Sequence, residues 1–250
     1  MGPSAYQKSR WSCHDICQSD TVTEPTDPRP APSAFVFDFD GTILDTEWPE
    51  YVIVAAEYQR HGLTLDLSEW QETIGTAGHP HWTDVLQSHV GPIDDIDEVR
   101  ARSRARHRSM LAALDVQPGV HGLLDLAEDR GLALAVASSS PRSWVEEHLS
   151  HRGLIGRFAT VVTRDDVAAP KPAPDLFALA CRRLGIAPAH AVAFEDSRHG
   201  CAAATQAGLR CVVVPNRVTA GQDFSRADLV VGSLADLDAI QLGLSASVPM

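Results

Sequence analysis

Two carboxylates stand where an apolar segment of the chain ends. The segment Ala34–Phe37 is wholly apolar, and Asp38 and Asp40 follow it with one residue between them. Residues i and i+2 of an extended chain point to the same side, so both carboxylates can reach one substrate. Gly41 then allows the backbone to turn sharply. Two acids this close can divide the work of catalysis, one as nucleophile and one as general acid and base.

A second acidic pair, Glu195 and Asp196, ends another apolar segment, Ala191–Phe194. Four carboxylates are costly to gather at one place unless a cation lies among them. Oxygen ligands together with a phosphate partner indicate Mg²⁺. The alternative is that Asp196 or Ser197 is the N-cap of the next helix, which explains one acid but not the pair.

Two further segments offer groups that suit a phosphate. Ser138, Ser139 and Ser140 end the apolar segment Leu132–Ala137, just before a helix. Hydroxyls and backbone N–H groups at a helix N-terminus bind phosphate, although such serines also serve as plain N-caps. Lys171 lies in a loop stiffened by three prolines in five residues, which fixes the direction of its ammonium group. The alternative for Lys171 is a solvated surface lysine.

The elements that must position these groups are predicted from the alternation of apolar and amphipathic segments after residue 118. This alternation predicts βαβ units and a parallel sheet covered on both faces. The apolar segments are Leu132–Ala137, Ala159–Val162, Ala191–Phe194, Cys211–Val214 and Leu229–Val231. The amphipathic segments include Trp144–His151, Leu176–Leu184 and Cys201–Ala207. Because open α/β sheets bind ligands at the carboxyl ends of their strands, the motifs at these ends are expected to converge.

Residues 47–114 contain helical patterns and no convincing strand. Apolar and aromatic residues recur there at helical spacing: Trp48, Tyr51, Val52, Ala55 and Tyr58. The strand at 34–37 therefore has no partner in this block and must join the later sheet.

We thus predict an α/β fold with a Rossmann-like parallel-sheet core and an inserted α-helical cap domain. The core is expected at 34–46 and 115–250, and the cap at 47–114. Residues 1–33 are polar and rich in proline, which predicts a flexible N-terminal extension.

The four motifs, in this order and with a helical cap between the first and the second, resemble the haloacid dehalogenase superfamily across about residues 34–240. The resemblance is to its phosphatase and β-phosphoglucomutase-like members. It implies that Asp38 is the nucleophile and Asp40 the general acid and base. True dehalogenases of the superfamily lack the second aspartate, so Asp40 speaks against dehalogenation.

The same resemblance implies the ligands of the substrate and the metal. Ser138, Ser139 and Lys171 would bind the transferring phosphoryl group. Asp38, the main-chain carbonyl of Asp40 and Asp196 would bind Mg²⁺. Glu195 would be either a further ligand or a neighbour just outside the ligands.

The cap segment Ile74–Trp82 resembles a substrate-facing loop. His79, His81 and Trp82 could reach a polar ring or a sugar hydroxyl, or they could form a helix start with surface histidines. The arginines of Arg100–Arg108 fall partly on one helical face and could attract a second anionic group. A solvated helix balanced by nearby acids is the favoured interpretation of these arginines.

These features predict an Mg²⁺-dependent phosphatase that acts on a small phosphorylated metabolite, such as a sugar phosphate, through an aspartyl-phosphate intermediate. A β-phosphoglucomutase-like mutase is the main alternative. Mutases typically carry a cap arginine soon after the glycine that matches Gly75, and a lysine after the second-motif serines. Here those places read Thr76 to His79 and Pro141-Arg142, which weakens the alternative. A non-catalytic binding protein on the same fold is the remote alternative.

The composition narrows the class of protein. The formal net charge is −12, from 33 acidic and 21 basic residues, which argues against nucleic-acid and anionic-membrane binding. No apolar run is long enough for a bilayer, and the first residues do not form a secretory signal. Five cysteines without a compact framework are typical of reduced thiols. We predict a cytoplasmic monomer or homodimer whose partner is a small phosphorylated metabolite.

Overall fold

A six-stranded parallel sheet forms the centre of the protein in the computed structural model, which describes residues 29–75 and 78–244. The strands follow the order β3-β2-β1-β4-β5-β6. They are β1 (Ala34–Phe37), β2 (Ala133–Ala137), β3 (Thr160–Val162), β4 (Ala191–Glu195), β5 (Arg210–Val213) and β6 (Leu229–Val230). This confirms the predicted Rossmann-like α/β fold, including the pairing of the isolated first strand with the later ones.

Helices surround this sheet and fill the long connection between its first two strands. The helices of the described residues are α1 (Glu47–Arg60), α2 (Leu67–Gln71), α3 (Trp82–Val90), α4 (Ile96–Ala112), α5 (Val120–Asp129), α6 (Arg142–His151), α7 (Asp175–Leu184) and α8 (Arg198–Ala207). Helices α1 to α4 all lie between β1 and β2 in the chain, as the helical patterns predicted. Helices α6, α7 and α8 each connect two strands of the sheet, as βαβ units require.

The central strand β1 is buried on both faces, which explains its unbroken apolar sequence. Phe35 and Phe37 face one core, where the ring of Phe37 stacks on that of Phe194 with 4.6 Å between centroids. Val36 faces the other core, together with Ala193 of β4. Alternate residues of one strand thus anchor two layers of helices, and they hold the end of β1 firmly in place.

The helices α1 to α4 have an apolar cluster of their own. It includes Tyr58 of α1, Trp70 of α2 and Leu86 of α3. Val218, from the loop after β5, is fully buried in the same cluster. The loop and α2 are also joined by hydrogen bonds, since the Gln222 side chain donates to the Gln71 carbonyl at 3.1 Å.

Residues 1–28 of the predicted extension lie outside the described residues. Near residue 33 the chain already contacts the sheet region: the Ser33 N–H donates to the His190 carbonyl at 2.7 Å. Arg29 forms an ion pair with Asp228 at 2.8 Å. Within the two described stretches, no helix is long and apolar enough to cross a membrane. The cytoplasmic location and the monomeric or homodimeric state stay predictions.

Candidate active site

The end of β1 and the end of β4 are direct neighbours at the middle of the sheet. Phe37 is paired with Phe194, so Asp38 follows β1 beside the last residue of β4, Glu195. The chain adds β2 and β3 on one side of β1 and then β4, β5 and β6 on the other side. Open α/β sheets bind their ligands at the carboxyl ends of the two strands where this change of side occurs, here β1 and β4. The predicted residues Asp38, Lys171, Glu195 and Asp196 meet here.

Lys171 is a buried ammonium group, which excludes the alternative of a solvated lysine. It is 2% exposed, and its Nζ contacts the Asp38 carboxylate and donates to Glu195 Oε1 at 2.6 Å. Burial favours the neutral amine, but the negative charges of Asp38 and Glu195 outweigh it and raise the pKa of Lys171 above its usual range. The lysine therefore keeps its charge at the end of β1.

Asp38, Glu195 and Asp196 form a buried acidic cluster. One oxygen from each carboxylate lies within 4.8 Å of those of the other two. Burial, with help from Glu195 and Asp40 and against the effect of Lys171, raises the pKa of Asp38 to about 8. Burial and the charges of Glu195 and Asp38 raise the pKa of Asp196 well above its ordinary value. Because hard oxygen ligands crowd together and resist ionisation, the cluster fits a divalent cation.

Glu195 is held by hydrogen bonds on both of its oxygens. Oε1 accepts from Lys171, while Oε2 accepts from the N–H of Asp196 at 3.1 Å and from the Ser197 hydroxyl at 3.1 Å. Ser197, not Asp196, is the N-cap of α8, because its side chain accepts from the Gly200 N–H at 3.1 Å. A Cβ at position 200 would overlap the Glu195 carboxylate, so only glycine lets α8 approach so closely.

Asp196 is oriented by a residue that the sequence did not reveal. The Asn216 side chain donates to Asp196 Oδ2 at 2.6 Å. Gly41 lies against the same carboxylate with a φ of +86°, and a Cβ there would overlap Asp196 Oδ2. The sequence feature that could have revealed Asn216 is its position shortly after β5, at the same edge of the sheet as the other motifs.

Asp40 stands apart from the acidic cluster and is held by hydrogen-bond donors. Its Oδ1 accepts from the Thr46 hydroxyl at 2.9 Å and from the Trp144 indole N–H at 2.8 Å. Its Oδ2 accepts from the Ser140 hydroxyl at 2.6 Å and more weakly from Ser138 at 3.3 Å. Its side chain is thus committed to these donors, and the predicted metal contact through its main-chain carbonyl stays a prediction.

The sequence pattern of haloacid dehalogenase-like hydrolases matches residues 35–214, a range that includes all four motifs. This protein is a haloacid dehalogenase-like hydrolase. It is 40% identical over 205 residues to YhcW of Bacillus subtilis (strain 168), a protein named for phosphatase activity, and the match covers 82% of this chain and 93% of that one.

Solved structures of the same family agree with this assignment. CbbY from Rhodobacter sphaeroides in complex with phosphate is 31% identical, with a TM-score of 0.69, covering 85% of this chain and all of that one. An aspartate-to-asparagine variant of the same CbbY in complex with xylulose-(1,5)bisphosphate is 30% identical, with a TM-score of 0.67, covering 82% of this chain and 96% of that one.

The hydrolase has a cavity of about 370 Å³ between Asp40 and the helices α1 to α4. Ser139 and Ser140 form part of its wall, and Ser139 donates to the Gly75 carbonyl in a long contact of 3.4 Å. Ser138 lies deeper, fully buried, where its hydroxyl accepts from the Ser140 N–H at 3.0 Å. The cavity is the space in which a substrate can meet Asp40, and we call it the active-site cavity.

The predicted cap residues separate into two groups. His79 lines the active-site cavity, whereas His81 and Trp82 line smaller cavities beside it. The His81 side chain accepts from the Thr83 N–H at 3.3 Å and so serves as the N-cap of α3. Thr76 and Ala77 of the predicted loop lie outside the described residues.

The arginines of α4 do not line the active-site cavity. Arg100 pairs with Asp84 at 2.7 Å, and Arg102 pairs with Glu57 at 3.2 Å. Arg104 and Arg108 are exposed. This agrees with the favoured interpretation of a solvated, charge-balanced helix.

Proposed function

We propose that this hydrolase is an Mg²⁺-dependent phosphatase that releases inorganic phosphate from a small phosphorylated metabolite through an aspartyl-phosphate intermediate. The observation that carries the proposal is the buried cluster of Asp38, Lys171 and Asp196 beside a separately held Asp40. Phosphoryl transfer requires in-line positioning and neutralisation of the phosphoryl oxygens, and the cluster supports the proposal because it offers a carboxylate nucleophile, an ammonium group and a site that fits a cation.

Asp38 is the proposed nucleophile, because it ends the central strand and its carboxylate lies against the Lys171 ammonium. In this position Lys171 can move from the carboxylate to a phosphoryl oxygen as the bond to phosphorus forms. The proposal assigns Glu195 a positioning role, since its two oxygens already bind Lys171 and the turn before α8. A divalent cation bound by Asp38 and Asp196 would supply positive charge that favours the ionised nucleophile and balances the phosphoryl group.

Asp40 is the proposed general acid and base. In the first step its protonated form gives a proton to the leaving alkoxide, while Asp38 takes the phosphoryl group. In the second step its carboxylate takes a proton from the water that attacks the phosphoaspartate. The hydrogen bonds from Thr46 and Trp144 to one oxygen hold the carboxyl group away from the acidic cluster.

We further propose that Ser138 and Ser139 contribute to phosphate binding through the turn before α6. We also propose that residues 47–114 act as a cap domain over a core made of 34–46 and 115–250. The active-site cavity lies between these two parts, so closure of the cap would exclude water from the reaction.

The cavity wall favours a monophosphate as the substrate. Arg164 is the one arginine among the described lining residues, and no lysine is among them, whereas Glu47 and Glu50 are two acids beside Asp40. A bisphosphate, such as the one bound by the CbbY variant, would place its second phosphate near these acids. The same shortage of cations argues against the mutase alternative.

The direct test is hydrolysis of p-nitrophenyl phosphate by the purified protein with Mg²⁺, compared with the Asp38→Asn variant. We expect turnover in the wild type and none in the variant, with phosphate released in step with nitrophenol. Rapid acid quenching followed by borohydride reduction should convert the residue at position 38 to homoserine in the wild type. Hydrolysis without any modification at position 38 would reject the aspartyl-phosphate mechanism.

A further inference from the structure

A smaller cavity in the cap continues from the active-site cavity, and we call it the cap groove. Its volume is about 150 Å³, room for roughly five water-sized groups. The two cavities share four lining residues, which form the passage between them: Glu50, Trp70, Thr73 and His79. A substrate whose leaving-group oxygen lies at Asp40, which lines the active-site cavity, would therefore meet the cap groove with the far end of its leaving group.

The wall of the cap groove is largely aromatic. Tyr58, Trp70 and Trp82 line it, together with aliphatic carbons of Leu65 and Val85. Faces of tryptophan and tyrosine attract organic cations, by about 0.5–1 kcal/mol in exposed sites and more where water is excluded.

The charges around the cap groove favour the same kind of ligand. Glu50 and Glu69 line it, and no lysine or arginine is among its lining residues, all of which belong to the described part of the chain. Burial raises the pKa of Glu50, with the charge of Asp40 adding to the effect and that of His107 opposing it, so a cation placed beside Glu50 would favour its ionised form and an anion would oppose it. Burial and the charge of Arg100 lower the pKa of His81, so this histidine does not supply a positive charge at pH 7. An anionic group would be repelled here, and an ammonium group would be attracted.

Trp70, in the passage between the cavities, has an unsatisfied donor. Its side chain is nine-tenths buried, and its indole N–H has no hydrogen-bond partner among the described residues. A buried donor without a partner costs about 1–3 kcal/mol. The nitrogen itself is buried, so an oxygen of a leaving group would reach it only after the Trp70 ring moves towards the passage.

We propose that the cap groove is a leaving-group subsite for an organic ammonium, so that the preferred substrates are phosphate monoesters of amino alcohols or amino sugars. This inference rests on the proposed phosphatase function and names its substrate class. It assigns Glu50 and Glu69 to the ammonium, and the ring of Trp70 to the wall of the passage between the ammonium and the phosphate.

The test compares esters that differ only in the charge of the far end. A series of aminoalkyl phosphates of increasing length is measured against alkyl phosphates of the same length, with kcat/KM as the readout. We expect the amine to be preferred by about tenfold at the best length, the factor that corresponds to 1.4 kcal/mol. Glu50→Gln and Glu69→Gln should each reduce this ratio. Glu98→Gln, an exposed acid of α4 that lines neither cavity, should leave the ratio unchanged.

Binding to the Asp38→Asn variant, measured by calorimetry, separates the two proposals. If no ester is hydrolysed by the wild type, the phosphatase function is rejected, while the binding ratio of amine to alkyl ester still decides the subsite. Equal kcat/KM and equal affinity for amine and alkyl esters at every length would overturn the subsite and leave the phosphatase function standing. A preference for the amine that survives both glutamine substitutions would likewise overturn it.

Discussion

Asp38→Asn is expected to stabilise the metal-free protein even though it should abolish turnover. Burial, with Glu195 and Asp40 adding and Lys171 opposing, raises the pKa of Asp38 from 3.8 to about 8. At pH 7 the unfolded chain has released this proton, whereas the folded cluster of Asp38 and its neighbouring acids around Lys171 still holds one, which costs the folded state free energy. Each pH unit between the unfolded pKa of 3.8 and pH 7 contributes about 1.4 kcal/mol, so the full cost at pH 7 is about 4 kcal/mol. Because the clustered carboxylates share their protons, we expect about half of this value to be recovered in the variant.

The dependence on pH gives the prediction its sign. Below about pH 4 the side chain of Asp38 is protonated in both the folded and the unfolded protein, and the wild type suffers no penalty. As the pH rises from about 4 towards about 8, the folded state binds more protons than the unfolded state, so its stability falls. Asparagine carries no such proton, and its amide oxygen can still accept a hydrogen bond from Lys171. The advantage of the variant should therefore grow across this window.

The assay is urea unfolding followed by tryptophan fluorescence in EDTA, at several pH values between about 5 and 8. Glu98→Gln serves as the control and should follow the wild type. Added Mg²⁺ should stabilise the wild type more than the variant, because it favours the ionised carboxylate. The reasoning is refuted if the variant is less stable than the wild type at pH 7 in EDTA, or if the difference does not change with pH.

Three further predictions concern the chemistry. A chelator should abolish hydrolysis of p-nitrophenyl phosphate and added Mg²⁺ should restore it, because Asp38 and Asp196 lie in a buried acidic cluster. Full activity after exhaustive EDTA treatment would contradict this. Asp40→Asn should slow the single-turnover phosphorylation of the enzyme about 10²–10⁴-fold with an alkyl phosphate, and much less with an aryl phosphate, because only the alkoxide leaving group needs a proton. Equal losses for the two substrates would mean that Asp40 acts through geometry alone. Trp144→Phe removes one hydrogen bond to Asp40 and should lower kcat for the alkyl phosphate about tenfold, while the circular dichroism spectrum stays unchanged. An unaltered kcat would show that the other donors suffice to hold Asp40 in place.

The sheet and the ends of its strands could be predicted from the sequence because their cause is local. The unbroken apolar segment before Asp38 requires burial on both faces, and the structure shows Phe37 and Val36 in two opposite cores. Since parallel strands present their carboxyl ends at one edge, the meeting of Asp38 with Glu195 followed from pattern alone. The boundaries of the strands differ from the predicted ones by a residue or so.

The partners of Asp40 could not be predicted, because they depend on how elements rotate against one another. Trp144 lies in the first turn of α6 and reaches Asp40 only through the orientation of that helix. Asn216 reaches Asp196 from a loop with no regular pattern. For His81 the sequence left two interpretations open, a substrate contact or a helix start, and the structure shows its side chain capping α3.

The loop after β5 contacts both the acidic cluster and helices α1 to α3. The side chain of Asn216 donates to Asp196, and its Oδ1 accepts from the Val218 N–H at 2.8 Å. Two residues later in the chain, the side chain of Val218 is buried among apolar residues of helices α1 to α3. In the proposed cap motion, exposing this valine would cost about 1.5–3 kcal/mol, which by itself corresponds to an open fraction of roughly 1–7%. The loop that orients Asp196 would thus also favour the closed position of the proposed cap.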